Sequence, residues 1–146
     1  MAVLVAGGEG PRVEFKQEVP TRTESKKNVL KTIAAFASGD GGTVVFGVDD
    51  NAQVVGVDPA ALDQYQVAVS HMIRNSIEPE PPHSLRVEQV DGKTVLLVEV
   101  TAGGRWFALN PDKPEFHLRR GASTMPARLG EIAAGFSPPT ALARTW

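Results

Sequence analysis

The chain has 146 residues, 42% of them apolar and 22% charged, which fits one ordinary globular domain. It contains no cysteine, so disulfide frameworks, thiolate zinc sites and cysteine nucleophiles are excluded. Its 15 Lys and Arg against 17 Asp and Glu give a net charge of -2, which argues against a uniformly basic nucleic-acid coat. No apolar stretch reaches the roughly 20 residues that span a bilayer. We therefore expect no membrane partner and a cytoplasmic location.

The first third of the chain predicts a strand, a helix and a second strand. Residues 12–16 alternate polar and apolar side chains, so Arg12, Glu14 and Lys16 should share one face of a short strand. A capping-box pattern at 21–24 precedes a helix predicted over about 24–38. The glycines of 39–42 lack the Lys-Ser/Thr pair of a phosphate-binding loop, so they indicate a tight turn into a buried strand at 43–48.

The middle of the chain predicts a second helix and a hairpin. Residues 54–57 are expected to form the returning strand after an Asp-Asp-Asn turn. A helix should begin at Asp58-Pro59 and continue to about Ile77. Asp91-Gly92 supplies the positive φ values of a tight turn, which predicts a hairpin from 84–90 and 93–100.

The end of the chain predicts a loop at 101–114, a last strand at 115–120 and a short helix at 129–136. Residues 137–146 have the composition of a C-terminal linker or tail. We therefore expect a single domain at 1–136. Its fold class should be α+β, with a mixed, mostly antiparallel sheet of about six strands covered by two main helices.

A group of acidic residues around the first strand could carry chemistry. Glu14 and Lys16 share a strand face, Glu9 precedes them, and an aspartate pair at 49–50 follows a buried strand. Several such carboxylates can bind a divalent cation, with the lysine facing a phosphate or an attacking water. The alternative is an exposed Glu14-Lys16 ion pair beside a turn aspartate.

Basic residues are segregated toward both ends of the chain. Residues 9–31 hold six basic and four acidic side chains, and residues 113–128 hold four basic side chains and one acidic side chain. Residues 49–99 hold three basic side chains against nine acids. This pattern could produce a basic face for phosphate contacts, and its alternative is a solvated surface.

The loop segment Arg105-Trp106-Phe107 could stack on unpaired bases, although its aromatic residues could equally anchor the loop in the core. The three histidines, at positions 71, 83 and 117, show no metal-ligand spacing, and we assign them no function.

Several motifs in chain order resemble the Schlafen/Alba-like domain family. They are Glu9 with Val-Glu14-Phe-Lys16, Ala34-Ala-Phe-Ala37, the segment from Gly41 to Asp50, Val55-Gly-Val57, Ile77-Glu-Pro79 and the segment from Leu118 to Thr124. The resemblance extends over about residues 9–132. It implies a nucleic-acid-binding domain of the kind attached to transcription-regulator-like proteins.

The resemblance also implies a specific set of site residues. In Schlafen members that cut structured RNA, three acidic residues form a metal-assisted nuclease site, which here would be Glu9, Glu14 and Asp50. Lys16 would be the adjacent basic residue, and the cofactor would be Mg²⁺ or Mn²⁺. The resemblance also matches Arg119 and Arg120 to the family's basic strand near the end. Together with the basic patches and the Arg-Trp-Phe loop, it gives the residues expected to contact nucleic acid: Arg12, Lys16, Lys26, Lys27, Arg105, Arg119 and Arg120.

Two departures from the family pattern bear on function. Those nucleases join two related lobes, whereas this chain has one, so a homodimer could be needed to grip a duplex. In addition, the family usually has a short proline-containing stretch where residues 102–114 of this chain begin with Ala-Gly-Gly-Arg-Trp-Phe. Our leading hypothesis is a domain that contacts the DNA or RNA backbone through a basic face. The alternatives are a metal-dependent endoribonuclease acting on structured RNA such as transfer RNA, and a dimerisation module of a transcription-regulator-like protein.

Overall fold

The computed structural model describes residues 5, 7–110 and 112–133. The elements follow one another as β1 (Val13–Lys16), α1 (Thr23–Ser38), β2 (Gly42–Phe46), α2 (Leu62–Ser76), β3 (Ile77–Glu78), β4 (His83–Val90), β5 (Lys93–Val100), β6 (Ala108–Leu109), β7 (His117–Arg120), β8 (Ser123–Pro126) and α3 (Leu129–Ala133). The predicted tail at 137–146 and the last residues of the predicted helix at 129–136 lie outside the described residues.

Four strands form the main sheet in the order β1-β2-β5-β4. β1 runs parallel to β2, whereas β5 is antiparallel to both β2 and β4. The sheet is therefore mixed and mostly antiparallel, as predicted. It has four strands and not about six, because the remaining strands pair elsewhere.

The remaining strands form two small sheets, β3 with β6 and β7 with β8. The predicted loop at 101–114 thus contains a strand, and the predicted strand at 115–120 begins at His117 and is followed by β8, which was not predicted. The predicted strand at 54–57 is wrong as well. Val54 forms a single bridge with Val48, and the N–H of Val57 donates to the Thr94 carbonyl at 2.8 Å.

The two long helices agree with the sequence except at one cap. α1 begins after Arg22, whose extended backbone makes it the N-cap without a side-chain hydrogen bond. The predicted capping box is therefore not formed, because Thr21 lies one residue before the cap position. Ahead of α2, the Asp58 carboxylate accepts a hydrogen bond from the Ala60 N–H at 3.0 Å, as its helix-start position predicted.

The turn from α1 into β2 requires glycine. Gly41 has a φ of +82°, and its N–H donates to the Phe36 carbonyl at 2.8 Å. A Cβ at this position would also lie 2.7 Å from the Val100 carbonyl oxygen. The turn thus fixes the end of α1 against the strands, as the glycine spacing predicted.

The main sheet is buried on both faces. Alternate residues of the central strands, such as Phe46 and Leu96, pack with α1 and α2 in the larger apolar cluster. The intervening residues, such as Val45 and Leu97, pack with Phe15 in a smaller cluster on the other face. Among the described residues, no helix has the length and apolar character needed to cross a membrane.

Candidate nucleic-acid interface

The predicted Glu14-Lys16 pair is present on β1. Glu14 is in register with Val44, and Lys16 with Phe46, so both side chains project toward the helices. The Lys16 Nζ atom lies 3.3 Å from Oε2 of Glu14. The second carboxylate oxygen of Glu14 is held by another cation, which gives this residue a structural role.

That second cation is Arg119 of β7, whose side chain is 5% exposed. Its Nη1 atom donates to Oε1 of Glu14 at 2.7 Å and to the Thr124 hydroxyl at 3.1 Å. Its Nε and Nη2 atoms donate to the Gly10 carbonyl, and Nη2 also donates to the Val13 carbonyl at 2.9 Å. A guanidinium has five N–H groups, and these five hydrogen bonds use them all. Arg119 therefore stabilises β1. It does not contribute to the basic surface that the sequence predicted.

The predicted metal ligands do not come together. Oε2 of Glu9 accepts a hydrogen bond from the Phe15 N–H at 2.9 Å, and Asp50 is exposed on the turn after β2. In the described part of the chain, no three His, Asp or Glu side chains are grouped so that they could hold a metal ion. Glu9, Glu14 and Asp50 thus do not fit the metal site that the resemblance implied, since Glu14 already faces two cations.

Two of the predicted basic residues line a groove between α1 and α2. Its volume is about 600 Å³. α1 contributes Thr23, Lys26, Lys27 and Leu30, and α2 contributes Ala68, His71, Met72 and Asn75. On each helix the spacing is i, i+3, i+4, i+7, which places the four residues on one face. The groove thus has two ammonium groups on one wall, with an imidazole and an amide opposite.

The groove has two lysines and, near them, the acidic side chains of Asp112 and Glu115. Lys26 is half-buried and forms no ion pair with any described residue. Lys27 lies 3.2 Å from a carboxylate oxygen of Glu115, in a pair whose side chains are 46% and 36% exposed. Pairs this exposed contribute about 0–1 kcal/mol, so a phosphate can compete for the lysine. Asp112 also lines the groove.

The other predicted basic residues lie outside this groove. Arg12 and Arg105 are exposed, and Arg120 pairs with Glu131. The Arg128 N–H donates to Oε1 of Glu131 at 2.7 Å and holds the pKa of that carboxyl below its ordinary value, with Arg120 adding to the effect. Arg120 also lines a smaller cavity of about 330 Å³, where two acidic side chains balance the arginines.

The aromatic residues of the Arg-Trp-Phe segment anchor the loop. Phe107 is 2% exposed, and its N–H donates to the Ser38 hydroxyl at 2.9 Å. Trp106 is half-buried and packs edge-to-face on Phe116, with 5.8 Å between ring centroids. The structure therefore favours the anchoring interpretation over an open stacking platform.

Sequence reasoning missed the α2 wall of the groove. His71 has no metal-ligand spacing with the other histidines, so the sequence assigns it no function, and it does not single out Asn75. The two are four residues apart, which puts them on one helix face and was a signal available in the sequence. What the sequence could not show is that this face lies beside Lys26 and Lys27.

Known proteins similar to this chain point to one family. The family model described as Schlafen, AlbA_2 matches residues 9–128. The DIP2311 protein from Corynebacterium diphtheriae has a similar structure, with a TM-score of 0.60 and 20% identity over 86% of this chain and 28% of that chain. This chain thus corresponds to about 28% of that protein's length, and at this identity the likeness concerns the fold alone.

A second similar structure is the N-terminal domain of a protein from Nitrosomonas europaea that is named as an ATP-dependent DNA helicase RecG-related protein. It has a TM-score of 0.51 and 29% identity, over 68% of this chain and 71% of that chain. No curated protein matches this chain. The family match confirms the resemblance that the sequence motifs carried.

Proposed function

Because this chain belongs to the Schlafen, AlbA_2 family, we propose that it is a nucleic-acid-binding domain that contacts backbone phosphates through the groove between α1 and α2. The similar domain from Nitrosomonas europaea is part of a protein named as a helicase-related one, which supports a role connected with nucleic acid. The proposal concerns binding, since the carboxylates of the predicted nuclease site are not grouped for a metal ion.

The observation that carries the proposal is the pair of lysines on one wall of the groove. Ammonium groups attract phosphate without regard to base sequence, and their contacts release counterions. His71 and Asn75 add side chains that can donate hydrogen bonds to phosphate or sugar oxygens. A groove with this chemistry suits the backbone of a duplex or a single strand.

Fluorescence anisotropy with labelled duplex and single-stranded DNA and RNA, repeated over a series of salt concentrations, tests the proposal. We expect affinity to fall as salt rises. Lys26→Gln should weaken binding to every sequence and lower the salt slope by about 1, because one phosphate contact is lost.

Lys93→Gln is the matched control. Lys93 is an exposed lysine at the start of β5, outside the groove, where its ammonium group donates to the Val54 carbonyl at 3.2 Å. This variant should bind like the wild type. Affinity that is indifferent to salt, or equal losses in the two variants, would overturn the proposal.

A further inference from the structure

The two edges of the main sheet differ in whether their outward backbone groups already form hydrogen bonds. At the β1 edge, the Phe15 N–H donates to the Glu9 carboxylate, and the Val13 carbonyl accepts from the Arg119 guanidinium. Gly10 also forms a bridge back to Val13. This edge is therefore blocked by the chain's own side chains and backbone, which prevents an incoming strand from pairing there.

The β4 edge has its hydrogen-bonding groups directed outward. A two-residue Asp91-Gly92 turn makes Val90 and Lys93 a hydrogen-bonded pair, so even-numbered residues of β4 bond to β5. The hydrogen bond from the Thr101 N–H to the Pro82 carbonyl, at 2.9 Å, continues the same alternation.

The odd-numbered residues Leu85, Val87 and Gln89 therefore present their backbone N–H and C=O groups away from the sheet. In the described part of the chain, no hydrogen bond reaches these groups. An edge at which three alternate residues present free backbone groups is a template for a further strand.

We propose that β4 pairs antiparallel with β4 of a second copy of this chain, centred on Val87. The outward groups of both strands can meet only in registers that place odd-numbered residues opposite odd-numbered ones. The register centred on Val87 sets Arg86 against Glu88 of the partner subunit, and Glu88 against Arg86 of the partner subunit. These are pairs without mutual backbone hydrogen bonds, whose side chains approach more closely.

The charges select this register over its neighbours. A shift in one direction sets Arg86 against its own copy, and a shift in the other direction sets Glu88 against its own copy. Like charges directly opposite one another destabilise a strand pair. Arg86 and Glu88 already form an ion pair within one chain, at 2.8 Å, so the dimer extends an existing alternation of charge across the two-fold axis.

Side-chain packing and the symmetry of the pair also favour a second copy of this chain as the partner of the β4 edge. Leu85 and Val87 are half-buried on the helix-facing side, and pairing places them beside apolar and amide side chains of the partner. The interface is isologous, so each copy uses its β4 edge on the other. Because the β1 edges are blocked, pairing stops at two copies and does not continue into a fibre.

Cysteine cross-linking tests the register, since the chain has no cysteine of its own. Val87→Cys places a thiol on the two-fold axis, where the paired Cα atoms lie about 5.5 Å apart, within disulfide range. We expect this variant to form a covalent dimer under mild oxidation. Ser84→Cys is the matched control, because its copy would lie six residues along the strand, about 20 Å away, and it should remain uncross-linked.

Light scattering of the full chain over a wide concentration range tests the dimer without nucleic acid, so its outcome is independent of the proposed function. Arg86→Glu should raise the dimer dissociation constant about tenfold or more, because it opposes two carboxylates across the axis. Combining Arg86→Glu with Glu88→Arg should restore association. A wild type that is monomeric throughout, equal cross-linking of the two cysteine variants, or association unchanged by Arg86→Glu would overturn the proposal.

Discussion

For Glu14, the role in the structure differs from the role that the family resemblance implied. Its resemblance to a nuclease residue implied a metal ligand, whereas its carboxylate is shared between Arg119 and Lys16. Glu14→Gln should lower the free energy of unfolding by about 1.5–3 kcal/mol, because it removes a charged hydrogen-bond acceptor from a buried guanidinium. Urea denaturation measures this loss. Glu80→Gln, at an exposed position, should change stability by less than about 0.5 kcal/mol.

The same denaturation curves, recorded with and without Mn²⁺, separate the two roles of Glu14. A metal that binds the folded chain stabilises it by mass action. Since Glu14 faces cations and no acidic group gathers around it in the described residues, we expect Mn²⁺ to leave both curves unchanged. A Mn²⁺-dependent gain in the wild type that Glu14→Gln abolishes would contradict this assignment.

At the scale of elements, the loop after β5 is fastened to the end of α1. The Gly103 N–H donates to the Ala37 carbonyl at 2.8 Å, and the buried Phe107 ring lies against Gly103. A Cβ at Gly103 would lie 2.2 Å from that ring. Gly103→Ala should therefore destabilise the protein by about 1–3 kcal/mol through overpacking, as measured by thermal or urea unfolding.

A double-mutant cycle identifies the cause of that loss. Phe107→Leu removes the atoms that the new methyl group meets, so the combined variant should be more stable than the sum of the single losses predicts. Gly10→Ala is the control, because a Cβ there meets no atom within 4 Å. Strict additivity of Gly103→Ala and Phe107→Leu would show that the steric explanation is wrong.

The elements that the sequence predicted correctly are those with local signals. α1, α2 and the β4-β5 hairpin follow from helical periodicity and from an Asp-Gly turn, each contained within neighbouring residues. β6 and β8 were missed because short strands carry weak patterns. The pairing of Ile77 with Leu109 further depends on a fold that brings distant segments together.

At the candidate site too, contacts between neighbouring residues were predictable from the sequence and contacts between distant segments were not. The Glu14-Lys16 pair was predictable, since two residues of one strand face are neighbours. The burial of Arg119 was not, because its partners at Gly10, Val13 and Glu14 are more than a hundred positions earlier in the chain. Charge pattern alone identifies a residue as basic, and the tertiary contacts then decide whether that charge faces solvent.

At the scale of the whole molecule, the net charge of -2 conceals an uneven distribution. The lysines of α1 line the groove beside α2, while two acids of the middle segment, Glu88 and Glu99, lie on the β4-β5 hairpin. The proposed groove and the proposed dimer edge therefore use separate parts of the chain. A nucleic acid can contact the helices while two copies are joined through their sheets.

Acid should destabilise the whole fold through one buried histidine. His117 is 3% exposed, and its Nδ1 atom has no hydrogen-bond partner among the described residues. Burial lowers the pKa of His117 from 6.5, and the nearby Lys31 and Lys27 lower it further against an opposing effect of Glu115. The unfolded chain therefore takes up this proton at a higher pH than the folded chain does.

This difference sets the sign of the pH dependence. Below about pH 6.5 the unfolded state binds more protons, so the free energy of unfolding should fall as pH decreases from 7.5 to 5.5. His117→Leu removes the titrating group, and urea denaturation at the two pH values should show a smaller fall than in the wild type. His71→Asn, at an exposed histidine, is the matched control for the loss of an imidazole. An equal fall in the wild type and in His117→Leu would assign the acid sensitivity to groups other than His117.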